Sequence, residues 1–479
     1  MRRIVGFVLL LSFGGFAAAV SAADTDALKC EALHNTAISG GFVSSARVVE
    51  AQDIQPAYCE VRATALPAIS IEVRLPLVGW NGKYYQAGCG GFCGILGRAD
   101  AGSGWVNAMR PGLERGYATA TSDGGHHALS VVDAGWADGN PHAERDWGWR
   151  SIGETHRVAQ LMIDKFYGSA SQQAIFQGCS TGGRMAHVAA LRYPEMFNGI
   201  ISGAPAMDYP GLVGTSMSWI VQANTDDNGQ QILKPGKDKL IGDAVMAACD
   251  AKDGVSDGII NDPQLCDTDL STLSCVGESQ SDCLSEAELT VVDKWRQGPV
   301  NAAGESLYPG AIPEGSEPFW WLWLTGNDKG AGRLVDAFAS GFTRYMAFPK
   351  DAGINWRVQD FDFETDPARM ASAAEMYNGD NPDISAFRAA GGKMIVWHGW
   401  ADAVVPPFKT IDWYEKASAA AGGEETLKEN VALFMVPGVD HCGILPSATG
   451  VSQSSLDPMT PLEAWLNEGS RPASIMIAD

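Results

Sequence analysis

Basic residues are scarce in this chain. It has 34 lysines and arginines against 57 aspartates and glutamates, and its formal net charge at pH 7 is −23. Nucleic acids and anionic membrane surfaces attract proteins through clustered positive charge. The composition therefore argues against both as partners, and any anionic ligand would need a dedicated local cation.

Long apolar runs are also lacking after the N-terminus. Residues 1–3 (MRR) are basic, an apolar run follows from Ile4 to Phe16, and the VSA at residues 20–22 suits signal peptidase. Such a run is short for a membrane span, which needs about 20 residues. We therefore predict a signal peptide over residues 1–22 and a secreted or periplasmic protein. An uncleaved membrane anchor is the alternative.

Paired C-x-x-C spacings are missing as well, which argues against a cysteine-rich zinc site. All ten cysteines follow the predicted signal. An even number of cysteines in an exported chain predicts disulfides. The ten are Cys30, Cys59, Cys89, Cys93, Cys179, Cys249, Cys266, Cys275, Cys283 and Cys442.

Repeats and low-complexity tracts are absent, but the sequence pattern changes twice. Residues 23–206 and 391–479 alternate strands with helices, which predicts an α/β domain with a mostly parallel sheet and helices on both faces. Residues 207–390 interrupt this pattern with four cysteines, Asp-Gly turns and a tryptophan-rich run, so we predict an inserted lid domain. The predicted strands are 69–75, 83–87, 174–177, 199–202, 393–397 and 431–436, and the predicted helices are 155–167, 184–193 and 408–421.

The stretch GCSTGGR at residues 178–184 fits the G-x-S-x-G pattern of a nucleophile elbow. In such an elbow the serine occupies a tight turn between a strand and a helix, and small neighbours relieve crowding. A predicted strand precedes the stretch and a predicted helix follows it, which favours an elbow over a chance glycine-rich turn. Ser180 is therefore the predicted nucleophile.

Two backbone amides should bind the oxyanion. The N–H of Thr181, the residue after the nucleophile, is one expected donor. The other should come from a glycine-rich loop after an early strand, and GCGGFCG at residues 88–94 fits. Either Gly90 or Gly91 could supply it. An ordinary turn stapled by Cys89 and Cys93 is the alternative interpretation.

A nucleophilic serine needs an acid and a histidine base, which follow it in that order in this type of enzyme. His441 follows the last predicted strand, and Asp402 follows the strand before it, so these are the predicted base and acid. Asp440 is the rival acid, but as the neighbour of His441 it has poor geometry for orienting the ring. We expect His398 to be a core histidine bonded to backbone.

Cysteines lie directly beside the predicted nucleophile and base. Because Ser180 and His441 must come within hydrogen-bond reach, Cys179 and Cys442 are brought close together. Disulfide partners need α-carbons about 4.4–6.8 Å apart. We therefore predict a Cys179–Cys442 disulfide that clamps the base to the elbow.

The pairing of GCSxGG with the DHC at residues 440–442 resembles the tannase and feruloyl esterase family, whose hallmark is this disulfide between neighbours of serine and histidine. The family includes bacterial mono(2-hydroxyethyl) terephthalate hydrolases. Further similar segments lie at 88–92, 121–126, 146–150 and 203–205, so the resemblance covers nearly the whole chain after the signal. It implies an α/β-hydrolase fold with a lid inserted between the serine half and the acid–histidine half, and it gives Ser180, Asp402 and His441 the roles proposed above.

The resemblance also implies a structural calcium ion in the lid. The aspartate-rich loop at residues 249–262 has carboxylates and glycine turns suited to a hard cation, although it is not an EF-hand. The ligands implied are the side chains of Asp250, Asp253 and Asp257 and the carbonyls of Val255 and Ile259. A run of solvated Asp-Gly turns is the alternative.

Further disulfides follow from the same resemblance. It implies the pairs Cys249–Cys266, Cys275–Cys283 and Cys30–Cys59. A Cys89–Cys93 pair beside the oxyanion loop departs from the family pattern.

These observations together predict a secreted serine carboxylesterase that acts on small aromatic esters. We rank hydroxycinnamoyl esters such as feruloyl esters first, gallate esters second and terephthalate monoesters third. An inactive binding protein with this fold and a metal-dependent hydrolase are the rival interpretations. The lid should hold the acyl group, and the candidate contacts are Trp320, Trp321, Trp323, Arg333 and Arg344.

Overall fold

The computed structural model describes residues 22–52, 54–96, 108–277, 281–448 and 450–477. The predicted signal peptide lies outside these residues except for its last position. In the described part of the chain, no helix has both the length and the apolarity that crossing a membrane requires.

One nine-stranded sheet runs through the molecule in the order β1-β2-β3-β5-β4-β6-β7-β8-β9. The pairs β1–β2, β2–β3 and β3–β5 are antiparallel, and the other five pairs are parallel. The predicted mostly parallel sheet is therefore present, with an antiparallel edge added. The strands are β1 Gly41–Val49, β2 Tyr58–Ala65, β3 Ile69–Pro76, β4 Lys83–Ala87, β5 Ala118–Ser122, β6 Gln173–Cys179, β7 Gly199–Gly203, β8 Lys393–Gly399 and β9 Val431–Val436.

Helices surround the sheet and fill the stretch between β7 and β8. A five-residue π-helix, Asp146–Arg150, joins α3 to α4. A seven-residue π-helix, Pro210–Ser216, leads into α6. The α-helices are α1 Ala22–Ala32, α2 Arg110–Glu114, α3 Pro141–Arg145, α4 Ser151–Tyr167, α5 Thr181–Arg192, α6 Met217–Ala223, α7 Lys237–Cys249, α8 Glu286–Gln297, α9 Trp320–Trp323, α10 Leu334–Tyr345, α11 Asp366–Arg369, α12 Ala371–Tyr377, α13 Ser385–Ala389, α14 Phe408–Ala420, α15 Glu424–Lys428 and α16 Met459–Glu468.

The central strands are buried on both faces. Consecutive residues of β7 and β8 belong to different apolar clusters, with Ile200 and Met394 on one side of the sheet and Ile201 and Ile395 on the other. Strands covered on both faces are apolar throughout rather than alternating, which is why short apolar runs mark them in the sequence. The carboxyl ends of β6, β8 and β9 therefore project from a rigid, close-packed layer.

Residues 207–390 contribute helices α6–α13 and, within their described part, no strand of the sheet. Strand β8, which follows this stretch, pairs with β7, and β9 pairs with β8. Two separate chain segments thus build the sheet, and the stretch between them packs outside it. The limits of the lid domain, 207 and 390, stay a prediction.

Five disulfides link the described residues, and they join the pairs named from the sequence. The longest link in sequence, Cys179–Cys442, spans 263 residues and ties the end of β6 to the turn after β9. The others are Cys30–Cys59, Cys89–Cys93, Cys249–Cys266 and Cys275–Cys283.

Candidate active site

Ser180 occupies a strained turn between β6 and α5. Its backbone φ and ψ are 63° and −125°, a conformation that residues other than glycine rarely adopt. The turn is tight because a Cβ at Gly178 would lie 2.5 Å from the backbone of Gly182. The glycines of the motif are therefore required by close packing, and the turn lifts the serine above the end of the sheet.

Two of the predicted oxyanion donors, Thr181 and Gly91, line one cavity with Ser180. Thr181 is the first residue of α5, where a helix leaves its N–H groups without an intrahelical partner. Gly91 lines the same cavity as Ser180 and has a φ of 57°, and a Cβ there would collide with the carbonyl of Val131. Gly90 is not among the residues that line this cavity. The cavity lining favours Gly91.

His441 and Asp402 form a short hydrogen bond. The imidazole Nδ1 lies 2.6 Å from Asp402 Oδ2, and the other carboxylate oxygen accepts the N–H groups of Val404 at 3.1 Å and Val405 at 2.8 Å. Burial by itself raises the pKa of Asp402, but the charge of His441 and hydrogen bonds from His398 and His441 outweigh it and lower the pKa to about 2. Asp402 is therefore a carboxylate that orients the ring.

His398 contacts both backbone and the predicted acid. Its Nε2 lies 2.8 Å from the carbonyl oxygen of Val405 and 3.2 Å from Asp402 Oδ2, and its Nδ1 lies 2.8 Å from Thr410 Oγ1. Because both neighbours of Nε2 are acceptors, that nitrogen carries the proton. The expected backbone bond is present, but the sequence analysis missed the bond to Asp402.

Asp440, the rival acid, makes no hydrogen bond to the His441 ring within the described part of the chain, where the carboxylate bonded to that ring is Asp402. Asp440 is fully buried, and its carboxylate oxygens accept the N–H of Leu445 at 3.2 and 3.3 Å. Burial and the nearby charge of Asp402 raise the pKa of Asp440 to about 8. A carboxyl group that is mostly protonated at neutral pH cannot serve as the acid partner of His441.

The Cys179–Cys442 disulfide joins the chain segments that carry the predicted nucleophile and base. Its α-carbons are 6.0 Å apart, and Cys442 Sγ lies 3.8 Å from His441 Nε2. Ser180 and His441 line one cavity of about 60 Å³. In the described residues the serine hydroxyl makes no hydrogen bond to the ring, a contact that often tightens only when substrate binds.

One of the three predicted tryptophans lines the cavity. Trp323 packs edge-on against His441 with ring centroids 5.3 Å apart. Trp320 is buried against Trp295, and its indole N–H donates to Ser316 Oγ at 2.9 Å. Trp321 is half-buried and is not part of the cavity wall.

Neither predicted arginine lines the cavity. Arg333 forms an ion pair with Asp336 at 2.5 Å, and Arg344 donates from Nε to the carbonyl of Trp356 at 2.9 Å. The wall is built instead from residues that no sequence motif marks. They include Tyr209, Leu212, Val213, Met217, Leu334 and Phe338.

The aspartates of the predicted calcium loop bind backbone amides of the same loop. Asp250 Oδ1 accepts the N–H of Gly258 at 2.9 Å, and Asp257 Oδ1 accepts that of Ile259 at 3.1 Å. Asp253 accepts the N–H of Val255 at 2.9 Å, and this bond lowers the pKa of Asp253. The carboxylate chemistry suits a calcium ion, and part of these contacts would be exchanged for the ion on binding.

The three aspartates of this loop do not bring their carboxylate oxygens together as a group. Among the histidine, cysteine, aspartate and glutamate side chains of the described residues, only Cys249, Cys266 and Glu314 bring three potential ligand atoms within 4.8 Å of one another. Both cysteines are disulfide-bonded, so this group is not a metal site. The calcium ion stays a prediction.

Comparison with known proteins places this geometry in context. Residues 48–479 match the family model described as tannase and feruloyl esterase. An uncharacterised esterase of Xanthomonas campestris is 32% identical over 100% of this chain and 89% of its own length. Mono(2-hydroxyethyl) terephthalate hydrolase of Piscinibacter sakaiensis is 30% identical over 88% of this chain and 78% of its own length.

Solved structures share the fold. Feruloyl esterase B from Aspergillus oryzae superposes with a TM-score of 0.79 over 94% of this chain and 92% of its own, at 22% identity. Tannin acyl hydrolase from Aspergillus niger superposes with a TM-score of 0.75 over 96% and 90%, at 21% identity. The predicted α/β-hydrolase fold is thereby confirmed.

Proposed function

The chain belongs to the tannase and feruloyl esterase family and is an esterase of that family, and from this premise we propose that it is a secreted serine carboxylesterase acting on esters of aromatic acids. The observation that carries the proposal is the 2.6 Å hydrogen bond from His441 to Asp402. This histidine–aspartate pair lies beside Ser180, which occupies a strand-to-helix turn. The Cys179–Cys442 disulfide ties the segment that carries Ser180 to the segment that carries His441. A serine needs this arrangement to become a nucleophile.

In the proposed mechanism, His441 Nε2 takes the proton of the Ser180 hydroxyl as its oxygen attacks the ester carbonyl. The amides of Thr181 and Gly91 (or Gly90) stabilise the negative charge on the carbonyl oxygen, while Asp402 holds the ring and stabilises its charged form. His441 then gives the proton to the departing alcohol. Water, activated by the same histidine, hydrolyses the acyl-enzyme and frees Ser180.

The acid part of the substrate is proposed by comparison with relatives. Probable feruloyl esterases of Arthroderma benhamiae and Aspergillus flavus are 28% and 27% identical to this chain. We therefore propose hydroxycinnamoyl esters first, then gallate esters, then terephthalate monoesters, for which the Piscinibacter enzyme is named.

The test is ester hydrolysis by purified, oxidised protein and by its Ser180→Ala variant. We expect the wild type to cleave methyl cinnamate or methyl ferulate, and the variant to lose at least about a thousandfold in kcat. A fluorophosphonate should label the wild type at Ser180. Near-normal turnover by Ser180→Ala, or labelling at another residue, would refute the serine mechanism.

We also propose that the loop carrying Asp250, Asp253 and Asp257 binds a structural calcium ion. Three carboxylates and turn carbonyls form the oxygen-rich ligand set that calcium prefers. Metal analysis should find one calcium per chain after gel filtration, and EDTA should lower the Tm. Loss of activity with an unchanged Tm would contradict a structural role.

Export is proposed from residues 1–22 and from the five disulfides, which form in oxidising compartments. N-terminal sequencing of protein recovered from the periplasm or medium should show a start at about residue 23. Recovery only from the cytosol, with residues 1–22 retained, would contradict export.

A further inference from the structure

The cavity beside Ser180 is walled by aliphatic and aromatic side chains. Three come from the segment leading into α6, two come from α10, and one comes from the loop that follows β5. These are Leu212, Val213, Met217, Leu334, Phe338 and Val132. A wall of this kind binds a ligand by removing hydrocarbon surface from water, so it favours an apolar acyl group.

Tyr209 adds an aromatic side chain to this wall. Its ring packs edge-on against Trp147 with centroids 4.9 Å apart, and the guanidinium of Arg184 lies 5.7 Å from its centroid. These contacts hold the ring in place beside the cavity.

The cationic side chains of the neighbouring lid helix are committed to other partners. Arg333 pairs with Asp336, and Arg344 donates to the carbonyl of Trp356. To reach a carboxylate in the cavity, either arginine would have to break its present contact. A charged acyl group would therefore lose its hydration without gaining an ion pair.

We propose that the acyl subsite selects uncharged acyl groups, such as feruloyl, cinnamoyl and benzoyl groups, over acyl groups that carry a carboxylate. This inference rests on the proposed serine esterase function and narrows its substrate. A carboxylate buried against the apolar wall loses its hydration. Terephthalate monoesters are therefore poor substrates, although a relative of this chain is named for hydrolysing one.

A matched pair of esters tests the selection with the wild-type protein. Dimethyl and monomethyl terephthalate differ by one charge, and kcat/KM should be at least about a thousandfold higher for the diester. A ratio below tenfold would overturn the proposal.

A variant pair tests whether the wall itself sets the ratio. Met217→Lys places an ammonium group on a side chain of similar length, and Met217→Gln is the uncharged control. In the Lys variant the diester-to-monoester ratio should fall at least about tenfold below that of the Gln variant. Equal ratios in the two variants would contradict the proposed origin of the selection.

Failure of this inference is distinguishable from failure of the proposed function. The small activated ester p-nitrophenyl acetate reports on Ser180, His441 and Asp402 with little demand on the acyl wall. If it is cleaved and monomethyl terephthalate is cleaved as well as the dimethyl ester, only the acyl selection is wrong. If no ester is cleaved, including p-nitrophenyl acetate, the serine esterase function and the selection that depends on it both fail.

Discussion

At the scale of single residues, Asp440 has the most unusual electrostatic environment near the site. Its folded-state pKa of about 8 lies well above the ordinary 3.8 because burial and the charge of Asp402 disfavour its ionised form. Between about pH 4 and pH 8 the folded protein therefore holds a proton that the unfolded chain releases. The contribution of this proton to stability is present below pH 4 and is lost as the pH rises towards 8.

Asp440→Asn removes this titration while keeping an oxygen that can accept the N–H of Leu445. We expect the Tm of the variant, measured relative to the wild type, to rise between pH 4.5 and pH 8. Thermal unfolding followed by circular dichroism at several pH values measures the difference. The same substitution at the exposed Asp227 should show no such trend, and a pH-independent difference at Asp440 would contradict the assignment.

His398 is a positioning residue for the predicted acid. It is fully buried and donates from Nε2 to Asp402 while Thr410 contacts the far side of its ring. Loss of this donor frees Asp402 to shift, and small misplacements of catalytic groups can cost about a hundredfold in rate. His398→Leu should lower kcat about 10- to 100-fold with less than a threefold change in KM.

The comparison variant is His398→Gln, whose amide can still donate to Asp402. It should retain clearly more activity than His398→Leu in steady-state assays at matched stability. Equal kcat values for the two variants would mean that His398 acts only by filling space.

Motifs explain which site residues the sequence could predict. Ser180, Asp402 and His441 follow strands at one edge of a sheet, so chain order and strand pattern bring them to the same place. Tyr209 and Met217 belong to helical segments whose packing over the cavity depends on the complete tertiary structure. Nothing in their local sequence distinguishes them from core residues.

At the scale of elements, prediction succeeded for strands with an apolar run or a clear alternation and missed β1, β2 and β5. β7 and β8 are short, buried runs that the sequence marks clearly. β1 is a partly exposed edge strand, and β5 is a buried run of small residues, ATATS, so neither has a strong pattern. Helix α5 begins three residues earlier than predicted because the glycines that weaken helix propensity there allow close packing on β7.

The Cys89–Cys93 disulfide braces the predicted oxyanion loop. It closes a loop of four residues around Gly91, whose neighbour Phe92 donates its N–H to the carbonyl of Val131 at 2.7 Å. Fixed donors matter because one oxyanion-hole donor contributes about 100- to 1,000-fold to kcat. Cys89→Ser/Cys93→Ser should lower kcat about 10- to 100-fold and change KM little.

The matched control is Cys275→Ser/Cys283→Ser, which opens a loop of eight residues in the lid. Both double variants should lose roughly 2 kcal/mol of stability by the chain-entropy argument. Only the Cys89→Ser/Cys93→Ser variant should have a lower kcat. If kcat falls equally in both, the Cys89–Cys93 link has no special part in catalysis.

At the scale of the whole molecule, one buried lysine on α14 joins two carboxylates that are distant in sequence. Lys409, on α14, lies 2.9 Å from Asp380 and 3.9 Å from Asp208, and Asp412 lies at 3.9 Å on the same helix. Asp208 and Asp380 lie near the two ends of the predicted lid, 207–390. The attached carboxylates raise the pKa of Lys409 against the opposing effect of burial, so the lysine stays charged.

Lys409→Met should therefore destabilise the protein, since it leaves Asp208 and Asp380 close together without their cation. We expect a loss of about 1–3 kcal/mol in the free energy of unfolding, below the range for a fully buried pair because the acids are partly exposed. Urea unfolding at low and high salt measures this loss, and salt should reduce it by screening the acids.

The control variant is Lys416→Met, which breaks an exposed pair with Asp412 and should cost less than about 0.5 kcal/mol. Equal losses for the two variants would show that the Lys409 ion pairs contribute no more to stability than an exposed pair.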